Sequence, residues 1–427
     1  MINLPAKLDK LEFKQLKEAA LDLLEQSLAD ISPDADHPIH IKMGIEREGH
    51  FIPPDGKENH PLISYDNWRM DREESGIKLA NALYMRLSRE IAELERIYHD
   101  DYGVFLAEMT TKPVSLKEAV RATERICSRM KEVACTELGL SEKDICFGTL
   151  QADFFQQMSE RIRTGLIEDA ELFETKGSFV MPGMGQHANV SVWSSKKNLF
   201  YQNTSHPVIG TLAGAVAAEA LHTLPGMILP SRGGNFIRIE NGQSFINNIG
   251  LSYDARTCQA LNWRSDSHDR QRIEFRQGNT CADPIDVALA AAIPATKAAL
   301  DSIKCDKDGK AILKDGIPEY DFNKTKAFHR SPMPKSQYEA MRLFNTADNP
   351  SFIYLNELAD KRIAALEAKA KELNTRPRED GNLALVNQEL RDARALKNIG
   401  TKLHHMYCQE YGLESKMPML KVAQARA

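Results

Sequence analysis

The residues best suited to chemistry are acidic, and the first of them form a closely spaced pair. Glu46 and Glu48 follow an apolar approach, Ile39 to Ile45, and Gly49 comes directly after them. On a β-strand, residues i and i+2 project from the same face, so the two carboxylates stand roughly 7 Å apart at about 3.3 Å of rise per residue. This separation is too wide for one hydrogen bond and suits neighbouring hard cations. The alternative is an ordinary amphipathic strand whose glutamates and His50 face water.

Further residues that could bind a metal ion fall on other predicted strands. Asp101 and Glu108 flank a second strand, His187 follows a glycine turn, and Glu274 lies in the middle of an alternating segment. Each of them alone is more often an exposed carboxylate or a packed histidine. Together with the first pair they supply the oxygen-rich ligands that Mg²⁺ or Mn²⁺ prefers, in shells that retain water for substrate phosphates. Five carboxylates and one imidazole suit two or three such ions.

The glycine turn Gly183-Met-Gly185-Gln-His187-Ala188 has a competing interpretation as a dinucleotide-binding GxGxxA fingerprint. That fingerprint requires a helix directly afterwards, so that the helix N-terminus meets the pyrophosphate. Here polar and apolar residues alternate from Asn189 to Trp193, which predicts a strand. Glycines at such a bend favour a close approach of the backbone to a bound substrate.

The elements that must position these groups alternate between helix and strand. Apolar spacing predicts helices at Leu8–Leu28 and Ser75–Tyr98, and a strand at Tyr102–Thr110. A capping box at Ser115-Leu-Lys-Glu opens a further helix that continues to about Leu138. The first 140 residues therefore predict a mixed α and β domain.

The second half continues this pattern and then becomes helical. Arg272–Arg276 alternates as a strand, and Asp283-Pro284 begins a small-residue helix that continues to Ile303. A hairpin is predicted around Asp306–Gly309. Two long antiparallel helices, Ile353–Leu373 and Asn387–Tyr411, are predicted to pack on the outside, where they support the fold or a self-interface.

Composition excludes several classes of protein. The 427 residues carry a formal net charge of −5 and no basic tract, so nucleic acid is not an expected partner. No apolar run approaches the roughly 20 residues that span a bilayer, and Met1–Lys10 lacks the hydrophobic core of a signal peptide. The seven cysteines are odd in number and form no CxxC pair. We therefore expect a reduced cytoplasmic protein with neither a disulfide framework nor a zinc cage.

Two segments of the second half resemble glutamine synthetases. The segment Gly183-x-Gly185-x-His187-x-Asn189-x-Ser191 resembles their glycine-rich turn and the strand after it. The segment Arg272-Ile-Glu274-Phe-Arg276, with Asp283-Pro284 and a small-residue helix after it, resembles their Arg-Ile-Glu-x-Arg segment. The paired glutamates of their segment ending Gly-Gln-x-Glu have no counterpart here.

The opening Gly44-Ile-Glu46-Arg-Glu48-Gly is more similar to bacterial glutamate–cysteine ligases. That family also has an Asp and a Glu seven positions apart on the next strand, as Asp101 and Glu108 are here. Both families belong to one superfamily of ATP-dependent carboxylate–amine ligases, and the order and rough spacing of the motifs agree from about residue 40 to 303.

The resemblance implies an α+β fold. Its centre is a curved antiparallel sheet with the active site on the concave face and helices on the convex face. A catalytic domain would span residues 1–340, with an N-terminal helix at 8–30 and the sheet core at 39–303. A helical extension, residues 341–427, would pack on it.

The implied activity is an ATP- and Mg²⁺-dependent ligation in which glutamate is activated as an acyl phosphate and then joined to an amine. Cysteine is the favoured acceptor because the first two carboxylate motifs match that family better, with ammonia or another small amine as the alternative. Two rivals stay open. One is a phosphotransferase like the guanidino kinases, and the other is an inactive binding protein of the same fold.

The resemblance also assigns residues. Six would form the metal shell, with Glu48 and Glu274 nearest the nucleotide phosphates: Glu46, Glu48, Asp101, Glu108, His187 and Glu274. Asn189 and Ser191 would lie near the nucleotide, and Arg276 would contact a phosphate as a planar fork. Arg264, Arg270 and Arg272 are candidates for the substrate carboxylate or phosphate, and Arg264 is counted with Glu274 and Arg276 among the catalytic residues. The turn at Gly183 and Gly185 would hold glutamate.

Overall fold

A computed structural model of the chain places most of its residues. The described residues are 9–31, 38–51, 72–99, 106–137, 139–140, 142, 145–147, 173–175, 178–180, 185–201, 211–231, 248–252, 259–265, 270–280, 282–306, 311–314, 331–332, 334, 337–375 and 380–417.

Within these ranges the chain forms helices and one large β-sheet. The helices are α1 (Lys10–Ala29), α2 (Arg72–Leu87), α3 (Leu116–Thr136), α4 (Leu212–Met227), α5 (Pro284–Ser302), α6 (Gln337–Phe344), α7 (Pro350–Asn374), α8 (Asp380–Ala395) and α9 (Ile399–Glu410). The strands are β1 (Ile39–Phe51), β2 (Leu94–His99), β3 (Leu106–Thr111), β4 (Ile145–Cys146), β5 (Phe173–Thr175), β6 (Ser178–Val180), β7 (Gly185–Ser194), β8 (Lys197–Asn198), β9 (Asn248–Ser252), β10 (Gln259–Arg264), β11 (Arg272–Asn279), β12 (Ile303–Cys305), β13 (Ala311–Leu313) and β14 (Ser331–Pro332).

The main sheet has the strand order β14-β9-β10-β11-β7-β1-β3-β2, with β4 paired to β1 and β8 paired to β7. Its central pairs are antiparallel, as expected, and the pair of β9 with β10 is parallel. The strands β12 and β13 form the predicted hairpin, and β5 pairs with β6. The predicted α+β class, with an open and mainly antiparallel sheet, is therefore confirmed.

One face of the sheet is apolar because alternate residues of the central strands are large and hydrophobic. Ile45 lies opposite Ala188, and Phe275 lies opposite the same alanine on the other side. All three are buried in one core with α1, α4 and α5. The many alanines of α4 and α5 let these two helices pack closely against each other and the sheet.

The opposite face is polar, and the strand register decides which residues meet there. Glu46 pairs with His187 on β7, and Glu48 pairs with Glu108 on β3. Asn189 pairs with Glu274 on β11. Residues directly opposite each other in a ladder point to the same face, so these side chains share one surface.

An ion pair shows that the polar face is concave at one end. Arg270, just before β11, lies with Nη1 3.5 Å from Oε1 of Glu95 on β2. In a flat sheet these two strands stand four spacings apart, or about 19 Å. Helices cover the other face, so the two edges must approach each other over the polar face.

The predicted helix Ser75–Tyr98 is wrong in its second half. The helix α2 ends at Leu87, and Leu94–His99 forms the strand β2 at the edge of the sheet. The ladder between β2 and β3 is irregular between Leu94 and Arg96. Because of this irregularity Leu94 and Ile97 are both buried, and their spacing of three imitates a helical period.

Two smaller expectations also need correction. The helix α3 begins after Ser115 as predicted, but the Ser115 side chain makes no capping hydrogen bond. Instead, Oε1 of Glu25 on α1 accepts a 2.6 Å hydrogen bond from the backbone N–H of Leu116. The predicted helix Asn387–Tyr411 is interrupted between α8 and α9, where Asn398 adopts a left-handed conformation with φ of 61°.

The last helix is tied to the core by a buried polar contact. Tyr407 of α9 donates a hydrogen bond to Asp286 of α5, and Nζ of Lys17 on α1 lies 2.7 Å from the same carboxylate. All three side chains are buried. The C-terminal helices are therefore part of the same packed body as α1 and α5, and the division at residue 340 stays a prediction. No described helix is both long and apolar enough to cross a bilayer.

Candidate active site

Three side chains with metal-binding atoms meet on the polar face. Nδ1 of His187 lies 3.2 Å from Oε1 of Glu274 and 3.4 Å from Oε2 of Glu46. One ligand atom from each residue lies within 4.8 Å of the others. Both carboxylates are almost fully buried. The three residues come from β1, β7 and β11, which are adjacent in the sheet.

Glu46 is oriented by a chain of hydrogen bonds along the polar face. Its Oε1 accepts a 2.9 Å hydrogen bond from Nδ2 of Asn189. The Oδ1 atom of Asn189 accepts a 2.8 Å hydrogen bond from Nε of Arg272. This arrangement leaves Oε2 of Glu46 directed toward His187.

Glu274 is the most enclosed of the three residues. Its Oε2 accepts hydrogen bonds from Nε of Arg264 at 2.6 Å and from Nδ2 of Asn262 at 3.1 Å. Nε of Arg276 lies 3.6 Å from Oε1. Burial alone would raise the pKa of this carboxyl, but His187 and the two guanidinium groups hold the pKa of Glu274 well below its ordinary value. Glu274 is therefore ionised in the folded protein.

A second acidic row lies beside the first. Oε2 of Glu48 accepts a 2.6 Å hydrogen bond from the backbone N–H of Gly185. Glu48 and Glu108 are directly opposite each other on β1 and β3, both buried. Like charges in such a pair repel, and Oε1 of Glu108 is buried with no hydrogen-bond partner. A bound cation or a proton would therefore neutralise the repulsion between these two carboxylates.

The pKa of Glu108 is raised by burial and by this repulsion between carboxylates. Burial, and then the charges of Glu46 and Glu48, raise the pKa of Glu108 well above its ordinary value, and a hydrogen bond with Tyr98 opposes the rise only in part. Tyr98 lies directly opposite Glu108 on β2. Glu108 therefore accepts a proton more readily than an ordinary glutamate does, and protonation would relieve the repulsion between the carboxylates.

The group of Glu46, His187 and Glu274 fits a divalent cation. Ligands at about 2.0 to 2.1 Å from an octahedral ion stand about 3 Å apart when they are adjacent, close to the measured separations. Burial disfavours a charged imidazole, but hydrogen bonds to Glu274 and Glu46 raise the pKa of His187 to about 10. A proton on Nδ1 thus supplies positive charge between two carboxylates, where a metal ion would supply more. The carboxylate ligands of this group suit Mn²⁺ as well as Mg²⁺.

The remaining candidates occupy different positions. Ser191 is buried near the site, and its Oγ accepts a 2.8 Å hydrogen bond from Nε1 of Trp193. Arg270 pairs with Glu95 at the concave end and is 67% exposed at its side chain. The structure thus brings together most of the proposed shell. Asp101 and Gly183 lie outside the described residues, and the assignments of individual ligands stay predictions.

Two contributors were not anticipated from the sequence. Asn262 holds Glu274 from β10, and it belongs to an alternating segment before the Arg272 strand that could have indicated it. Tyr98 contacts Glu108, but the helical interpretation of its segment concealed it. Tyr98 lies beside Glu108 because β2 pairs with β3, and this pairing is visible only in the tertiary structure.

Comparisons with known proteins agree with this geometry. The glutamine synthetase catalytic domain family matches residues 168–379, which include His187 and Glu274. No curated protein sequence matches the chain.

Several solved structures are similar. A novel glutamine synthase homolog is 15% identical, with a TM-score of 0.49 over 92% of this chain and 74% of that one. GmaS without ligand is 15% identical, with a TM-score of 0.51 over 85% of this chain and 75% of that one. The glutamine synthetase of Plasmodium falciparum is 12% identical, with a TM-score of 0.48 over 83% of this chain and 76% of that one.

The likeness to GmaS shows a shared fold, and the family match covers the strands that carry the histidine and the late glutamate. The motif residues that the structure describes lie on adjacent strands and share one face of the sheet: Glu46, Glu48, Glu108, His187 and Glu274. Residues 168–379 thus contain a glutamine synthetase catalytic domain, which confirms the predicted resemblance to this superfamily of ATP-dependent carboxylate–amine ligases.

Proposed function

We propose that this ligase activates the γ-carboxylate of glutamate with ATP and joins it to an amine. The observation that carries the proposal is the convergence of Glu46, His187 and Glu274 on the concave face, within 4.8 Å of one another. A carboxylate is a poor electrophile because its charge is delocalised and oxide is a poor leaving group. Transfer of the γ-phosphoryl group from ATP converts it into an acyl phosphate.

The bond changes balance without a further reactant. The bond between the γ-phosphorus and the oxygen that bridges it to the β-phosphate breaks as the glutamate oxygen attacks, and ADP leaves. The amine nitrogen then attacks the acyl carbon, the carbon–oxygen bond to phosphate breaks, and the nitrogen loses a proton. The products are ADP, phosphate and a γ-glutamyl amide.

Phosphoryl transfer depends mainly on alignment and on neutralisation of charge. A bound Mg²⁺ or Mn²⁺ would neutralise and align the phosphate oxygens. Glu46, His187 and Glu274 would hold one such ion, and the row of Glu48 and Glu108 provides ligands for another. Asn189 and Arg272 keep Glu46 oriented, and Arg264 keeps Glu274 ionised.

The basic half of the face suits the anionic groups. Arg276 lies at the edge of the ion site, where a planar fork can contact a phosphate. Arg264 and Arg272 lie next to it on β10 and β11, at the same level of the ladder. The glycine turn that ends at Gly185 would hold the glutamate.

Cysteine is the acceptor we favour, because the pair of Glu46 and Glu48 and the spacing of Asp101 and Glu108 resemble glutamate–cysteine ligases. Ammonia or another small amine is the second candidate. A reducing cytoplasm suits the protein, since Cys127, Cys305 and Cys408 are free thiols in the described part of the chain. Self-association through the C-terminal helices is a further part of the proposal.

The test is release of ADP from ATP and Mg²⁺ in the presence of glutamate, across a panel of cysteine, ammonia and polyamines. A ligase releases ADP together with an amide product, whereas a phosphotransferase releases ADP without one. Absence of both ADP release and nucleotide binding would refute the proposal and favour an inactive binding protein.

A further inference from the structure

We propose that Arg96 binds the α-carboxylate of the amine acceptor, so that the acceptor is an α-amino acid and not ammonia or a simple amine. The inference rests on the proposed ligase function and names its acceptor class. It concerns a residue of β2 that is separate from the arginines assigned from the sequence.

The register places Arg96 on the same face as the ion site. Arg96 lies opposite Thr110 of β3, and Thr110 lies opposite Glu46 of β1. The next polar row is formed by Tyr98, Glu108 and Glu48 in the same way. Arg96 therefore lies two strands away from Glu46, and the backbones of the two residues are about 10 Å apart. Both side chains lie on the polar face of the sheet.

The guanidinium group of Arg96 stacks on an aromatic ring and has no anionic partner among the described residues. Its Cζ lies 4.4 Å from the centre of the Tyr98 ring. Such stacking restricts the side chain and leaves the N–H groups at the edge of the guanidinium plane available. Among the described residues Arg96 makes no ion pair and no hydrogen bond to a protein oxygen.

The other arginines around the face differ in this respect. Arg264 and Arg276 lie against Glu274, Arg272 donates to Asn189, and Arg270 pairs with Glu95. These guanidinium groups already have a protein oxygen beside them. Among the described arginines of this face, Arg96 is thus the one whose five donors contact no protein oxygen, and its side chain is exposed to solvent.

The surrounding charges suit a zwitterion. Glu46, Glu48 and Glu108 lie on the strands between Arg96 and the basic half of the face. An amine group is attracted to these carboxylates, and a carboxylate on the same molecule is repelled by them unless a cation receives it. A guanidinium binds a carboxylate in a bidentate fashion. Ammonia carries no group that requires such a residue.

The experiment compares amines that differ only in the carboxylate. Release of ADP is measured with cysteine against cysteamine and with alanine against ethylamine, for the wild type and for Arg96→Met, which retains an apolar stem. We expect the wild type to prefer the amino acids. In Arg96→Met we expect kcat/KM for cysteine to fall about 100-fold, which is the scale of a lost bidentate charged contact, and the preference over cysteamine to collapse.

Three comparisons exclude a merely structural effect. KM for glutamate and ATP should change little in Arg96→Met. Arg96→Lys should restore part of the preference because it keeps the charge without the fork. Arg89→Met, at an exposed arginine beyond the end of α2, should behave as the wild type.

A binding measurement decides the inference even without turnover. Cysteine is titrated calorimetrically into protein that holds glutamate, Mg²⁺ and a non-hydrolysable ATP analogue. We expect binding to the wild type and at least about 100-fold weaker binding to Arg96→Met. Equal binding by both proteins, or equal use of cysteine and cysteamine by the wild type, overturns the assignment. Absence of ADP release with every acceptor refutes the ligase function instead, while the titration still judges Arg96.

Discussion

Nδ1 of His187 lies 3.2 Å from Oε1 of Glu274, although the two residues are not directly opposite each other in the sheet. Asn189 is the residue opposite Glu274, so His187 and Glu274 are diagonal neighbours on β7 and β11. Such neighbours have backbones about 7 to 8 Å apart, and long side chains close that distance. The contact therefore depends on both side chains leaning toward Glu46, where a cation would sit.

Replacement of Glu274 by Gln tests the ion site. The variant removes a charged ligand, so we expect the affinity for Mn²⁺ and the turnover each to fall at least about 100-fold. It also leaves Arg264 without its buried anion, which costs about 3 to 5 kcal/mol when a buried pair is broken. Electron paramagnetic resonance measures free Mn²⁺, and thermal unfolding measures stability.

Two variants make this prediction specific. Glu46→Gln should lose Mn²⁺ affinity to a similar extent with a smaller loss of stability, because its oxygen still accepts from Asn189. Glu124→Gln, at a half-exposed ion pair on α3, should change neither property. Near-normal Mn²⁺ affinity in Glu274→Gln or Glu46→Gln would show that the ligands are assigned wrongly.

Asn189 has two possible roles that a single variant separates. If Asn189 mainly orients Glu46, Asn189→Leu should weaken Mn²⁺ binding about 10- to 100-fold in the absence of nucleotide, as losses of ligand-orienting groups do. If Asn189 instead contacts the nucleotide, KM for ATP rises and the Mn²⁺ dissociation constant stays unchanged. Manganese titration with and without ATP distinguishes these outcomes. The hydrogen bonds from Asn189 to Glu46 and from Arg272 to Asn189 lead us to expect the first.

Gly185 should tolerate no side chain. A Cβ at this position would lie 2.7 Å from Nε2 of His187 and 3.2 Å from Oε1 of Glu48. Gly185→Ala should therefore displace both side chains and reduce turnover by at least about tenfold, since ligand geometry within about 0.5 Å decides such sites. Steady-state kinetics and Mn²⁺ titration measure the effect.

Gly412→Ala is the matched control. Gly412 has φ of +66°, and a methyl group at that position would have nothing within 4 Å of it. The change should cost about 1 kcal/mol of stability, from the left-handed conformation alone, and leave turnover unchanged. If Gly185→Ala loses only stability, as Gly412→Ala does, the close packing at Gly185 is unimportant for function.

His404 should make stability depend on pH below about 6.5. The ring is fully buried and stacked on Phe344, with Nε2 3.3 Å from the Phe344 carbonyl oxygen and Nδ1 2.8 Å from Oγ of Ser415. Burial lowers the pKa of His404 to about 4. The unfolded chain binds the proton near pH 6.5, so stability is fully present above that pH. It falls as the pH drops toward 4, by about 3 kcal/mol at most.

Urea unfolding at pH 7.0 and pH 4.5 measures this loss. Other acidic groups also titrate in that range, so the relevant quantity is the difference between the wild type and His404→Gln. His404→Gln should lose less stability than the wild type over the interval. His222→Gln, at an exposed position on α4, should match the wild type. An identical pH dependence in all three proteins would show that folding does not lower the pKa of His404.

Local structure was predictable where polar and apolar residues alternate along the chain. Asn189–Trp193 and Arg272–Arg276 were predicted as strands from this alternation, and they lie within the observed strands Gly185–Ser194 and Arg272–Asn279. The helix that begins at Pro284 follows from Asp283, whose side chain caps Ile285. The segment Leu94–His99 was mispredicted because a ladder irregularity and pairing with β3 determine its form. Neither can be read from local spacing.

The sequence by itself determined which residues carry ligand atoms and that Glu46 and Glu48 share a face, since a strand has a period of two. Only the tertiary structure decided that His187 and Glu274 meet Glu46, that Glu108 faces Glu48, and that Arg96 stacks on Tyr98 beside them. The physical reason is register. The alignment of strands distant in the chain is fixed by the packing of their apolar faces on α1, α4 and α5, and a shift of one residue would turn every polar side chain away from the site.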